Sequence, residues 1–146
     1  MKHVTTVIDI PATPEQVWAT LVDTAAYPAW NPFITKLSGE LAHGERLDVR
    51  IAPPGGRAMT FKPTVTRVEA GRRLEWLGTV GVRGIFDGRH TFTLESLGDE
   101  GTRLTQSEEF SGLLVPFTGT MLARTRAGFE AMNEGLRRRV VAGARA

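Results

Sequence analysis

Cysteine is absent from the 146 residues, which removes a disulfide framework, a thiolate metal site and a cysteine nucleophile together. No apolar run approaches the ~20 residues needed to cross a bilayer. The opening MKHVTTVIDIPATPE lacks the apolar core and small-residue cleavage site of a signal peptide. A reducing cytoplasm is the expected setting, with no integral membrane segment. Low-complexity blocks are missing as well. With 41% hydrophobic and 23% charged residues, the chain reads as one globular domain over residues 1–146. Charge of one sign is scarce: the formal net charge is +2, and the arginines are scattered except for Arg137, Arg138 and Arg139. Nucleic-acid readers gather their basic residues on one face among exposed aromatics, so no nucleic-acid partner is expected.

Several catalytic signatures are also lacking. There is no Walker loop, and Gly78, Gly81, Gly84 and Gly88 do not form a dinucleotide fingerprint. His3, His43 and His90 fall on unrelated segments without metal-ligand spacing. No serine occupies a nucleophile elbow, and Ser111 reads instead as the cap of the last helix. No metal and no cofactor is therefore expected.

What remains is a clear order of elements. Residues 4–10, VTTVIDI, are rich in β-branched side chains and stop at Pro11, as a strand does. Thr13, Pro14 and Gln16 then form a helix start, with a cap, a proline at the first position and a capping-box partner. Val17, Trp18 and Leu21 share one face. A second short helix starts at Asp23 or Thr24 and ends in YPAWNPF, because Asn31 before Pro32 is excluded from helical space. Alternation then sets in, with strands expected at about 33–41, 46–52, 58–68, 72–80, 85–96 and 102–110. Pro63 inside the fourth of the chain's seven strands calls for an edge or a bulge. After Phe110 the pattern is helical. Leu114, Phe117, Met121, Thr125, Phe129, Met132, Leu136 and Val140 make one apolar stripe. Six consecutive antiparallel strands curl and need a cover, and only the last helix is long enough. The fold class is α+β.

The stretch IDIPATPEQVWATLVDTAAYPAWNPF resembles the opening of the START-like superfamily, the helix-grip proteins also called polyketide cyclase/dehydrase or Bet v 1-like (SRPBCC). GRHTFTLESLGDEGTRLTQSEEFSGLL resembles that family's last hairpin and entry to the final helix. The resemblance implies a helix-grip fold: a seven-stranded curved antiparallel sheet, two short helices and a long C-terminal helix around an interior left partly open. It implies that Trp18, Tyr27 and Trp30 plug one end, with Trp30 near the cavity wall. It also matches Pro53–Gly56 and the glycine-rich GTVGVRG to gate and latch loops, although glycine serves tight hairpins equally well. Arg57 and Arg83 flank these loops, as greeters of an anionic group or as solvated residues.

Strand parity places the polar residues. Phe92 and Leu94 put the even-numbered side of 85–96 inward, and His90 lies on that side. Leu104 and Phe110 do the same for the last strand, carrying Gln106 and Glu108 inward. Aligned inner faces admit only register shifts of two, and the most natural register sets His90 opposite Glu108 and Phe92 opposite Gln106. Desolvation would raise the carboxyl pKa and lower that of the imidazole, whereas mutual attraction acts in the opposite sense. The pair could move protons, orient a ligand, or form a satisfied, water-bridged couple. Leu47, Val49, Ile51, Met59, Phe61, Leu74, Trp76, Phe86 and Gly88 make the rest of the inner face apolar. Met121, Thr125, Phe129 and Met132 form the roof, and Gly119, Gly128 and Gly135 mark close packing or open space beneath it.

The ligand-binding candidates are thus Trp30, Trp76, Phe86, His90, Phe92, Gln106, Glu108, Met121, Thr125 and Phe129. Two functions compete. One is a carrier or sensor of a small hydrophobic molecule (lipid, polyketide or aromatic metabolite), with His90, Gln106 and Glu108 as anchors. The other is a polyketide cyclase or dehydratase in which His90 and Glu108 are the catalytic acid and base. A chaperone-activator-like protein-binding module is the third; such relatives carry a Gly-Trp motif where this chain has FSGLLVPF. An exposed sheet edge would permit a homodimer.

Overall fold

In a computed structural model, which describes residues 1–115 and 119–144, the first helix begins where its caps require. Thr13 Oγ1 accepts from the Gln16 amide at 3.2 Å while Gln16 Oε1 accepts from the Thr13 amide at 2.9 Å, a reciprocal capping box. Helix α1 (Pro14–Val22) follows, then a 3₁₀ turn (Thr24–Ala26) and the short α2 (Tyr27–Trp30). Asn31 Oδ1 accepts from the amides of Phe33 and Ile34 at 3.0 and 2.9 Å. The side chain thereby replaces the backbone partners lost when the helix stops before Pro32. Tyr27 is fully buried and donates its hydroxyl to the Leu21 carbonyl.

The strands are β1 (Lys2–Ile10), β2 (Ile34–Ser38), β3 (Asp48–Ile51), β4 (Met59–Phe61), β5 (Thr64–Glu69), β6 (Arg73–Thr79), β7 (Asp87–Ser96) and β8 (Thr102–Ser111). All pairs are antiparallel, in a five-stranded sheet ordered β1-β8-β7-β6-β5 and a three-stranded sheet ordered β2-β3-β4. Among the described residues the count is eight rather than seven because the strand expected at 58–68 breaks at Lys62 and Pro63. Proline donates no ladder bond, so the chain bends there and its halves pair with different partners. The sheets stay joined across the break: Leu47 N donates to Pro63 O, and Val65 N to Glu45 O, at 2.9 and 2.8 Å. Ser111 ends β8 opposite Asp87, and no helix cap by it is found among the described residues.

Helix α3 (Gly119–Ala144) lies across the curved sheet. Its buried side is Thr125, Gly128, Phe129, Met132, Asn133, Leu136 and Val140. Met121 is half-buried, Leu114 precedes the helix and is 49% exposed, and Phe117 lies outside the described residues. Two of the helix glycines are sites of close approach. A Cβ on Gly128 would stand 2.2 Å from Phe33 Cδ1, and one on Gly135 would stand 2.7 Å from the Trp30 carbonyl oxygen. Both contacts lie inside ordinary van der Waals distance, so the YPAWNPF turn docks because the helix has no side chains there. Gly128→Ala is accordingly expected to destabilise the protein by ~1–3 kcal/mol, since overpacking outweighs alanine's helix propensity. Urea unfolding measures the change, and a stabilised variant would contradict it.

Candidate functional site

The observed register sets His90 opposite Glu108 and Phe92 opposite Gln106. On its other side His90 faces Trp76 of β6. Its ring is hemmed in by aromatics, with centroids 4.7 Å from Phe92, 4.8 Å from Phe129 and 5.0 Å from Trp76. Only 2% of His90 is exposed. Glu108 lies beside Val4 of β1 and reaches over Gly88, where an added Cβ would come within 3.2 Å of its Oε2. The glycine makes room for the carboxyl.

These groups form one corner of a cavity. Its walls are Val49, Ile51 and Phe61 of the small sheet with Pro63 at the break, Trp76 and Gly78 of β6, Val80 and Phe86 of the following loop, and Gly88, His90, Glu108 and Phe110 of β7 and β8. The cavity proper is about 70 Å³, within an empty space of about 470 Å³ that runs out to the open mouth. That is room for roughly five waters or a small ring. The interior is therefore partly open, but the opening is confined to one end.

Four of the ten candidates, Trp76, Phe86, His90 and Glu108, line this space. Phe92, Gln106 and Phe129 are fully buried around His90 and close the middle of the protein instead of facing the opening. Thr125 is buried and Met121 half-buried on α3, outside the wall. Trp30 packs at the far end against Tyr27, with centroids 5.1 Å apart, and over Gly135. Met59 shares the face of β4 that carries Phe61 but is 46% exposed and not part of the wall. Val49, Ile51, Phe61, Pro63, Gly78, Val80, Gly88 and Phe110 complete the wall. Gly78 follows the even parity of Trp76, so alternation could have marked it as it marks Gly88 beside His90.

The mouth is bordered by the loop after β6. Asp87, 8% exposed, accepts from the Thr79 hydroxyl and from the Gly84 amide, both at 2.9 Å, and so ties the loop's ends together. Pro53–Gly56 packs near α3: a Cβ on Gly56 would lie 3.4 Å from Arg124 Cδ. Arg57 and Arg83 are exposed.

His90 Nδ1 and Glu108 Oε2 are 3.8 Å apart, beyond a direct hydrogen bond. Burial pulls the imidazole down to about 4, opposed only by its bond to Gln106, and pushes the carboxyl up to about 8. Desolvation is the largest cause for both groups, and with both values so shifted there is no pH at which the two are charged together, so their attraction never comes into play. At neutral pH the corner holds a neutral imidazole and a carboxylic acid, not an ion pair. It thus offers a proton acceptor and a proton donor with a gap between them.

A long helix gripped by a curved antiparallel sheet, with a cavity between the strands, is the START-like arrangement. The chain belongs to the family described as polyketide cyclase / dehydrase and lipid transport, whose model matches residues 1–141. Among solved structures it is similar to the Zhui aromatase/cyclase from Streptomyces sp. R1128, with TM-score 0.81 and 15% identity over 99% of this chain and 96% of that one. It is similar to a START superfamily protein from Mycobacterium smegmatis, with TM-score 0.72 and 23% identity over 96% and 97%. It is similar to protein MLL2253 from Mesorhizobium loti, with TM-score 0.75 and 21% identity over 97% of both. A search of curated proteins by sequence finds no match. No helix among the described residues is long and apolar enough to cross a membrane.

Proposed function

We propose that the protein binds a small hydrophobic molecule in this cavity and holds its polar end between His90 and Glu108. The observation that carries the reading is an apolar cavity, open at one end, whose only titratable lining groups among the described residues are these two. Apolar walls with a few convergent polar groups are the usual make-up of small-molecule sites. The free volume suits a ring-sized group; a longer ligand extends through the mouth and displaces the loop that Asp87 ties down. Native mass spectrometry of the protein purified from its own host tests this. An adduct of small-molecule mass that is missing from Gly78→Val is expected. An apo mass, combined with no binding of the apolar fluorophore N-phenyl-1-naphthylamine, would overturn it.

A second reading is favoured by the protonation states. A carboxylic acid and an imidazole lone pair, 3.8 Å apart and both neutral, are the two partners an enolisation or dehydration of a poly-carbonyl chain requires. In it, His90 removes a proton and Glu108 delivers one. Glu108→Gln keeps a donor of the same shape but has no proton to transfer. It should retain fluorophore affinity within about threefold and lose turnover of a poly-β-carbonyl substrate by roughly 10²-fold or more. Turnover at the unaltered rate would eliminate catalysis and leave binding.

A further inference from the structure

Behind His90 lies a closed chain of polar groups, and its direction can be read from its fixed ends. His90 Nε2 is 2.9 Å from Gln106 Oε1. Gln106 Nε2 donates to Asn133 Oδ1 at 2.7 Å, and Asn133 Nδ2 donates to Thr6 Oγ1 at 2.9 Å. Thr6 donates in turn to the Gln106 carbonyl at 3.2 Å. Gln106, Asn133, Thr6 and His90 are all buried, at 0%, 2%, 6% and 2% exposure.

An amide side chain can present either end, so the chain has two conceivable directions. Turning both amides over would place Gln106 Oε1 where its nitrogen now stands, 3.5 Å from the Phe129 carbonyl oxygen. Two acceptors would then face each other in a dry interior. Asn133 would also present an oxygen to Thr6, whose one proton could no longer reach the Gln106 carbonyl. Main-chain carbonyls only accept, so the turned-over chain loses both of these contacts and sets two oxygens against each other. The two carbonyls therefore select a single direction, in which Gln106 offers an oxygen to the imidazole.

We propose that Asn133 and Thr6 are positioning residues: through Gln106 they hold His90 as the Nε2–H tautomer and leave the Nδ1 lone pair facing Glu108 and the cavity. The bond at one ring nitrogen decides what the other can do. With this tautomer, the corner accepts a proton or a hydrogen bond at Nδ1, as the base or ligand anchor of the proposed function needs. That use rests on the cavity reading, whereas the tautomer does not. Neither Asn133 nor Thr6 touches the cavity.

The test is a long-range ¹H–¹⁵N spectrum of the uniformly labelled, ligand-free full chain, with His90 assigned by comparison with His90→Gln. A single tautomer is expected, with Nε2 protonated and Nδ1 bare; a protonated Nδ1 would overturn the proposal. Asn133→Leu frees the Gln106 amide to turn, and the tautomer ratio should fall by about fivefold or more, the factor that one neutral hydrogen bond represents. Asn133→Asp should rescue the single tautomer, because an acidic or ionised carboxyl still accepts from Gln106 Nε2. If Asn133→Leu does not fold, Asn133→Ala removes the same acceptor without added bulk. Retention of one Nε2–H tautomer in the folded Leu or Ala variant would refute the role of Asn133. Since no ligand is present, an empty cavity and a wrong tautomer give separate failures.

Discussion

Between pH 6.5 and 8 the protein should lose roughly 2 kcal/mol of stability through one carboxyl group, and Glu108→Gln should abolish that loss. The native Glu108 pKa, about 8, lies above its ordinary 4.5, so the folded state holds the proton more tightly than the unfolded chain does. Its contribution is fully present below pH 4.5 and is lost as pH rises through 8. His90 has the opposite sign. Its native value, about 4, lies below the ordinary 6.5, so its contribution is fully present above 6.5 and is lost as pH falls through 4. From 4.5 to 6.5 the two slopes offset each other, and above 6.5 only Glu108 acts. Urea unfolding of the unaltered protein and Glu108→Gln across pH 4.5 to 8 isolates the effect, because the other titrating groups cancel in the difference. That difference should grow steadily in favour of glutamine, to about 4 kcal/mol over the full span. A flat difference would mean that the buried carboxyl is ionised, and the neutral acid at the heart of the site would be lost.

Filling the cavity should separate binding from folding. A Cβ on Gly78 would meet Pro63 Cβ at 3.7 Å and the Gly88 carbonyl oxygen at 3.9 Å, which is ordinary contact. Gly78 lies in β6 without a positive φ, so a β-branched residue suits the backbone. The methyls of Gly78→Val would project into the small free volume. Stability should hold or rise by ~0.5–1 kcal/mol as the unfolded chain loses freedom. Affinity for N-phenyl-1-naphthylamine, followed by its fluorescence, should fall at least about tenfold, equivalent to 1.4 kcal/mol. Unchanged affinity in a folded variant would place the ligand elsewhere.

The hairpin that carries His90 and Glu108 was legible before any coordinates. Side chains alternate with a period of two, the turn lies near Asp99, and Phe92, Leu94, Leu104 and Phe110 set the parity, so few registers compete. The YPAWNPF turn was equally readable, because Pro32 restricts Asn31 locally. Pro63 announced an irregularity, but not that the strand would divide between two sheets, since that depends on which neighbour each half meets. The cavity's extent was not readable either. Phe92, Phe129 and Gln106 have the right parity or helical spacing to face a hollow, yet they fill the middle themselves. Parity assigns a side chain to a face, whereas free volume is the remainder after all side chains are packed.

The amino-acid order by itself determined the succession of elements, the register of the last hairpin and the inward direction of its polar residues, because each follows from periodicities and turns spanning a few neighbouring positions. Only the tertiary structure decided the place and size of the opening, the neutral state of His90 and Glu108, and the chain linking His90 through Gln106 and Asn133 to Thr6. Asn133 and Thr6 are 127 positions apart, and no local pattern encodes which groups helix packing will bring together or how dry the space between them will be.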